Sequence, residues 1–214
     1  GYTNNTVSTI VPNSPTQSHF LSLRTINQLA KWLKVESSLN YRYTHKANIP
    51  TSSGYGSTSI MYGLWCYAPN VDMEWPSHYW ADEAAFKQDA TLSGGKNNAY
   101  FLANQCINNQ KRDRIYGNVL MKADIAKGLD LTVRGGVDMT SDFRTQRQAT
   151  STQAKPNGWY REQDINSKQY SGDFLLKYNT QFARDFDITA NFGGSIIWRS
   201  YSNHSQTASA LNIP

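Results

Sequence analysis

The sequence predicts an all-β fold: an antiparallel sheet of about three hairpins, forming a segment of a transmembrane barrel with long external loops. Three observations point there. Long runs alternate apolar and polar residues with period two, the pattern of half-apolar strands. The runs come in pairs joined by short polar links, which marks hairpins. Connection lengths are sorted, with short turns on one side and long loops on the other.

The clearest pair lies between Gln169 and Arg199. Tyr170, Gly172, Phe174, Leu176 and Tyr178 share one face, and Ser171, Asp173, Leu175, Lys177 and Asn179 share the other. After a link at 180–185, Phe186, Ile188, Ala190, Phe192, Ile196 and Trp198 oppose Asp187, Thr189, Asn191, Ser195 and Arg199. Aromatics stand near the ends of the apolar face.

Earlier in the chain, residues 1–16 are rich in Asn, Thr, Ser and Pro and read as a loop. A weakly alternating strand over 18–27 carries Leu21, Leu23 and Thr25 on one side. A link at 28–32 leads to a strand with Leu33, Val35, Leu39, Tyr41 and Tyr43 facing Lys34, Glu36, Ser38, Asn40 and Arg42 across the chain. The stretch 44–111 is irregular, with Gly54-Tyr55-Gly56 and three prolines; 59–67 and 82–89 read as short helices within it. The next hairpin sets Ile115, Val119, Met121 and Ile125 against Tyr116, Asn118, Lys122 and Asp124. It turns at Ala126-Lys127-Gly128 and returns with Leu129, Leu131, Val133, Val137, Met139 and Phe143 on one face. A loop over 144–168 follows.

Alternation alone fits both a soluble sandwich and a membrane barrel, since each has one apolar face. Length and loop sorting separate them. The runs are about 10 to 15 residues long, beyond the usual 5 or 6, whereas a tilted barrel strand needs about 9–11 to cross a bilayer. The alternatives are a soluble extracellular carbohydrate-binding β-sandwich and a passive porin.

Composition agrees with a β-rich protein outside the cytoplasm. Of 214 residues, 39% are hydrophobic and only 17% charged, with 13 Tyr and 6 Trp, too aromatic for disorder. No apolar run reaches the roughly 18 residues of a transmembrane helix; mean hydropathy is −0.61. The net charge of +5 is dispersed. Its densest patch, Lys111-Arg112-Asp113-Arg114, is broken by an acid, so nucleic-acid binding is not expected.

No catalytic constellation is present, and the chain is not expected to be an enzyme or to carry a cofactor. His19, His45, His78 and His204 are scattered, and His78 with Asp82 and Glu83 matches no metal-ligand spacing, so no metal site is expected. Cys66 and Cys106 both lie in the long irregular stretch and form either a disulfide or two free thiols.

Several segments in order resemble the SusC/RagA family of TonB-dependent outer-membrane transporters of Bacteroidetes. They include Gly1-Tyr2-Thr3-Asn4, Val11-Pro12-Asn13-Ser14, Lys31-Trp32-Leu33-Lys34-Val35, and Lys111-Arg112-Asp113-Arg114-Ile115-Tyr116-Gly117-Asn118. Pro156-Asn157-Gly158-Trp159-Tyr160, Tyr170-Ser171-Gly172-Asp173-Phe174, Asn191-Phe192-Gly193-Gly194 and Leu211-Asn212-Ile213-Pro214 continue the series. The resemblance implies that residues 1–214 are part of one plugged barrel of about 22 strands in the outer membrane of a Gram-negative cell. Such a barrel imports a large nutrient, a glycan or a peptide, with energy from the TonB complex and with a SusD-like surface lipoprotein as partner. The plug, the TonB box and the C-terminal strands of that family are not matched here, so the chain reads as an internal fragment.

Substrate contacts are expected from loop residues. Trp75, Tyr79, Trp80, Trp159 and Tyr160 are aromatics that stack on ligands or pack loops together, and Arg144, with Arg147 and Arg161, pairs with acidic ligands or acidic loop residues.

Overall fold

The computed structural model describes residues 1–51, 58–182 and 186–211. Its main body is one antiparallel sheet of seven strands: β1 (Tyr2–Val7), β2 (Thr16–Ala30), β3 (Leu33–Lys46), β6 (Asn108–Ala126), β7 (Leu129–Gln148), β8 (Trp159–Phe182) and β9 (Phe186–Ala208). Each pairs with the next in that order. Between β3 and β6 the chain leaves the sheet to build a cap: helix α1 (Ile60–Trp65), a 3-10 turn (Trp75–Ser77), a small hairpin of β4 (Trp80–Asp82) and β5 (Lys87–Gln88), and helix α2 (Ala99–Gln105).

The expected faces hold across all strands because the register aligns them. One continuous row runs Leu33, Ala123, Leu131, Leu176, Phe192, and another runs Leu39, Gly117, Val137, Tyr170, Trp198. Aromatic pairs brace this face, Phe174 on Phe192 at 5.8 Å and Tyr170 on Trp198 at 5.5 Å between ring centres. Among the described residues no second layer covers it: Phe192 is 69% and Ile196 72% exposed. A soluble sandwich would bury these side chains under a facing sheet.

Above this belt the same face becomes mostly polar, first on β8 and β9 with Lys168 and Ser200, and one row later on β3 and β6. The next row is Tyr41, Ile115, Met139, Lys168, Ser200; it is followed by Tyr43, Asp113, Ser141, Asn166, Ser202 and then by His45, Lys111, Phe143, Asp164, His204. Here neither face is continuously apolar, so the strands run on past the end of their alternation. The stretch 144–168 is not a loop: β7 continues to Gln148 and β8 starts at Trp159, leaving only 149–158 as the connection. With polar residues on both sides there is no alternation to detect, while backbone pairing continues unbroken.

Residues 1–16 also depart from expectation. Tyr2–Val7 form β1 by pairing with the upper half of β2; Tyr, Thr and Val suit a strand despite the polar neighbours. The strand at 18–27 is likewise longer, so that only Lys31 and Trp32 remain of the 28–32 link. The turn at Ala126-Lys127-Gly128 narrows to Lys127-Gly128. Gly128 has φ +78°, and a Cβ there would strike the Asn179 carbonyl, while its own carbonyl accepts from Asn179 N–H at 2.7 Å. Of the expected 180–185 link, Thr180, Gln181 and Phe182 belong to β8, and 183–185 lie outside the described residues, as do Gly54-Tyr55-Gly56 and Asn212–Pro214.

Connection length is sorted by end. The two-residue turns after β2 and β6 lie at one end; the 8–15 connection, the cap and 149–158 lie at the other. No helix among the described residues is long and apolar enough to cross a membrane, which says nothing of strands.

Candidate functional site

Among the described residues, the cap and the polar face of the sheet carry the organised side-chain interactions. The buried hydrophobic cluster of the described residues lies in the cap, where Ile60, Tyr67, Ala99, Leu102 and Ala103 pack together. Helix α1 starts where expected, with the Ser59 hydroxyl accepting from Tyr62 N–H. The helix expected over 82–89 does not form. The Asp82 carboxylate accepts from Ala85 N–H at 3.1 Å and Phe86 takes φ +51°, so the segment closes as the β4–β5 hairpin. The second helix is α2 instead. Its signal was in the sequence: Asn98 stands before an apolar run, and its side-chain oxygen accepts from Tyr100 N–H at 2.9 Å and Phe101 N–H at 3.3 Å.

Asn98 does more than cap. Its side-chain amide donates to the Pro76 and Asp89 carbonyls, and its backbone N–H donates to Gln88 Oε1. Gln88 in turn donates to Asn97 Oδ1 at 2.9 Å and to the Ser151 carbonyl at 2.5 Å, and Gln153 N–H donates to Asn97 Oδ1 at 3.0 Å. Gln153 also donates to the Gly95 carbonyl. A buried amide network therefore ties the cap to the 149–158 connection.

The predicted contact residues separate in this setting. Tyr79 and Trp80 pack on each other at 5.2 Å and both lie edge-on to Phe101, which is 0% exposed. Trp75 stays exposed on the 3-10 turn. Arg144, Trp159 and Tyr160 are on strands rather than in a loop. Arg144 and Trp159 belong to the polar face, and Tyr160, by parity, belongs to the opposite one, where its hydroxyl donates to Glu162. The six residues therefore do not form one site. Cys66 and Cys106 are both free thiols rather than a disulfide; each occupies the C-cap of its own helix. Burial pushes the Cys106 thiol up to about 11. His78 closes the 3-10 turn, and the described residues contain no cluster of three or more metal-ligating side chains.

The polar face carries the organised chemistry. Glu36 receives Lys34 at 3.0 Å, Arg24 at 3.5 Å and Lys122 at 3.7 Å. Arg134 meets Asp173 at 2.8 Å. Arg114 clasps Asp138 through Nε and Nη2 and lies over the Tyr116 ring at 4.8 Å. Highest on the sheet, Asp142 is buried and accepts from Arg112, Arg144 and Gln110 together. Strand parity splits the basic stretch at 111–114: Arg112 and Arg114 join this face, while Lys111 and Asp113 go to the other, where the Tyr41 hydroxyl donates to Asp113. A cavity of about 670 Å³ lies on the polar face around Asn118, Arg134, Asp138 and Asp173. Arg112, Arg114 and Asp142 were not identified as site residues from sequence. Their alternate spacing was visible, but the partner of each depends on register.

No protein-family model and no curated protein matches the chain. Solved structures do. The chain resembles part of the RagAB peptide importer in its closed-closed state, with TM-score 0.71 at 17% identity, covering 99% of this chain and 23% of that one. The open-open state of the same importer gives TM-score 0.68 at 17% identity, with coverages of 99% and 23%. A further structure of the RagAB peptide transporter gives 0.67 at 17% identity, with coverages of 91% and 22%. The chain thus spans under a quarter of the length of these structures and shares its fold with that portion of them.

Proposed function

We propose that this chain is a section of the wall of an outer-membrane β-barrel that imports a large nutrient, a peptide or a glycan. The import is active and TonB-dependent, works beneath a SusD-like surface lipoprotein, and involves no catalysis. The observation that carries this reading is the banded exposed face: apolar from Phe186 and Leu131 up to Tyr170 and Trp198, and polar above that on β8 and β9, with Ile115 and Met139 extending the apolar band by one row on β6 and β7. At about 3.3 Å per residue, Phe186 to Trp198 covers about 40 Å of strand, or ~30 Å of height at a tilt of about 40°. That matches a bilayer core flanked by aromatic girdles. The charged face then borders a wet lumen, where its ion pairs keep their solvation. The cap and the 8–15 and 149–158 connections face outside, and the Lys31-Trp32 and Lys127-Gly128 turns face the periplasm. The fold shared with a peptide importer supports a transport role.

The test is made on the whole protein that contains this chain. It should sediment with the outer membrane, and cells bearing it should accumulate a labelled oligopeptide or oligosaccharide only while the inner membrane is energised and TonB is intact. Accumulation that survives loss of TonB would instead identify a passive porin. Recovery of the protein as a detergent-free soluble species would restore the sandwich.

A further inference from the structure

The upper half of the polar face holds more cations than its own carboxylates neutralise. Rising from Asp138 toward the cap, it presents Arg42 beside Arg114, then Arg112, then Lys46 and Arg144, then Arg161. The carboxylates sharing these rows are Asp138 and Asp142, and both are already engaged by Arg114, Arg112 and Arg144. The other acids of the upper strands, Asp113, Glu162 and Asp164, fall on the opposite face by parity. Arg42, Lys46 and Arg161 form no ion pair among the described residues; Arg161 donates to the Ser205 hydroxyl at 3.0 Å.

Two features make this more than a dispersed surface charge. Asp142 is 3% exposed and holds Arg112 and Arg144 from one side, which fixes both guanidinium planes in advance while leaving them part-exposed. A fixed planar fork loses little freedom when it receives a further carboxylate. The spacing is also regular. Arg112 and Arg114 are two residues apart on β6, so cationic heads recur about every 7 Å along the strand. An extended peptide with acidic residues at alternate positions repeats its carboxylates at the same interval.

We propose that this arginine-rich wall selects acidic peptides, binding their carboxylates in an extended conformation. The proposal rests on the importer reading, because it needs the polar face to border the transport path. A positive wall around a confined lumen also raises the local concentration of anionic solutes.

The whole protein, purified in detergent, is titrated calorimetrically with a peptide of alternating Glu and Ser and with its Gln-Ser counterpart. The Glu peptide should bind at least about tenfold tighter at low salt, and that advantage should shrink at about 0.5 M salt, where screening is short-ranged. The double variant Arg42→Gln/Arg161→Gln breaks no ion pair among the described residues, so it should keep the fold while lowering the preference for the Glu peptide several-fold. Equal binding of the two peptides overturns the proposal; it is also the result expected if carboxylates of the same protein outside this chain already occupy the wall. An undiminished preference in the double variant, or tighter binding of an oligouronate than of the Glu peptide, overturns it as well. Uptake by cells separates the two readings: TonB-dependent import without preference for acid removes only this proposal. Failure of both peptides and of oligosaccharides to enter removes the importer reading.

Discussion

Arg112 and Asp142 stand directly opposite each other on β6 and β7, and the guanidinium donates to one carboxylate oxygen through Nη2 at 2.6 Å and Nε at 3.1 Å. Asp138 and Arg114 form a similar clasp one row diagonal and closer to solvent. The difference in burial should appear in stability. Asp142→Asn leaves two guanidinium groups facing each other without their carboxylate and should cost about 2–3 kcal/mol, the scale of lost charge-assisted bonds. Asp138→Asn should cost at most about 1 kcal/mol, because solvent already screens that pair. Denaturant unfolding of the whole protein in detergent gives both values, and equal losses would contradict this ranking.

Phe192 and Asn191 are neighbours on β9 with different surroundings. Phe192 sits in the apolar band against Phe174, and Asn191 faces the polar side across from Lys177. Phe192→Arg should cost about 2–4 kcal/mol in a bilayer, and Asn191→Arg close to nothing. Folding titrations into lipid vesicles provide the comparison. A larger loss for Asn191→Arg would mean that the apolar face is a protein core.

Protease added to intact cells should cut in the cap or at 149–158 and spare Lys127. Cleavage at Lys127 with the membrane intact would reverse the orientation.

Asn98, 2% exposed, caps α2 and joins it to Pro76, Asp89 and Gln88. Asn98→Ala should destabilise the cap by about 2 kcal/mol or more, combining the loss of an N-cap with that of buried hydrogen bonds. Hydrogen exchange should speed up in α2 and at Gln153 while β6–β9 stay protected. Uniform acceleration across the sheet would show that the cap is not a separate unit.

Burial holds the Cys106 thiol at about 11. At pH 8 its alkylation in the native protein should be roughly a hundredfold slower than in the unfolded chain, because so little thiolate is present. The same shift gives a sign for stability. The contribution is complete below the unfolded thiol's range near pH 9 and is lost as pH rises toward 11, where unfolding releases a proton. Mass spectrometry after timed iodoacetamide treatment reads the first, and unfolding at stepped pH reads the second. Cys106→Ser should remove the pH dependence over that window.

The sequence by itself determined the class of fold and the two faces of the sheet. Phe174, Leu176, Phe192 and Ile196 recur at every second position, and side-chain parity along a strand needs no information from elsewhere. It also determined that connections would be short at one end and long at the other. Tertiary structure decided the rest, because it depended on pairing. Above Tyr170 and Trp198 both faces are polar, so Trp159–Lys168 carries no periodic mark and only its hydrogen-bonded partner makes it a strand. β1 exists because β2 offers it an edge. Register alone sets Arg112 opposite Asp142 rather than beside Asp113, its neighbour in sequence. It thereby turns a basic stretch interrupted by an acid into a one-sided arginine surface. Even Trp80, a candidate for ligand contact when read alone, is directed inward, because Phe101 supplies a buried partner that lies far from it along the chain.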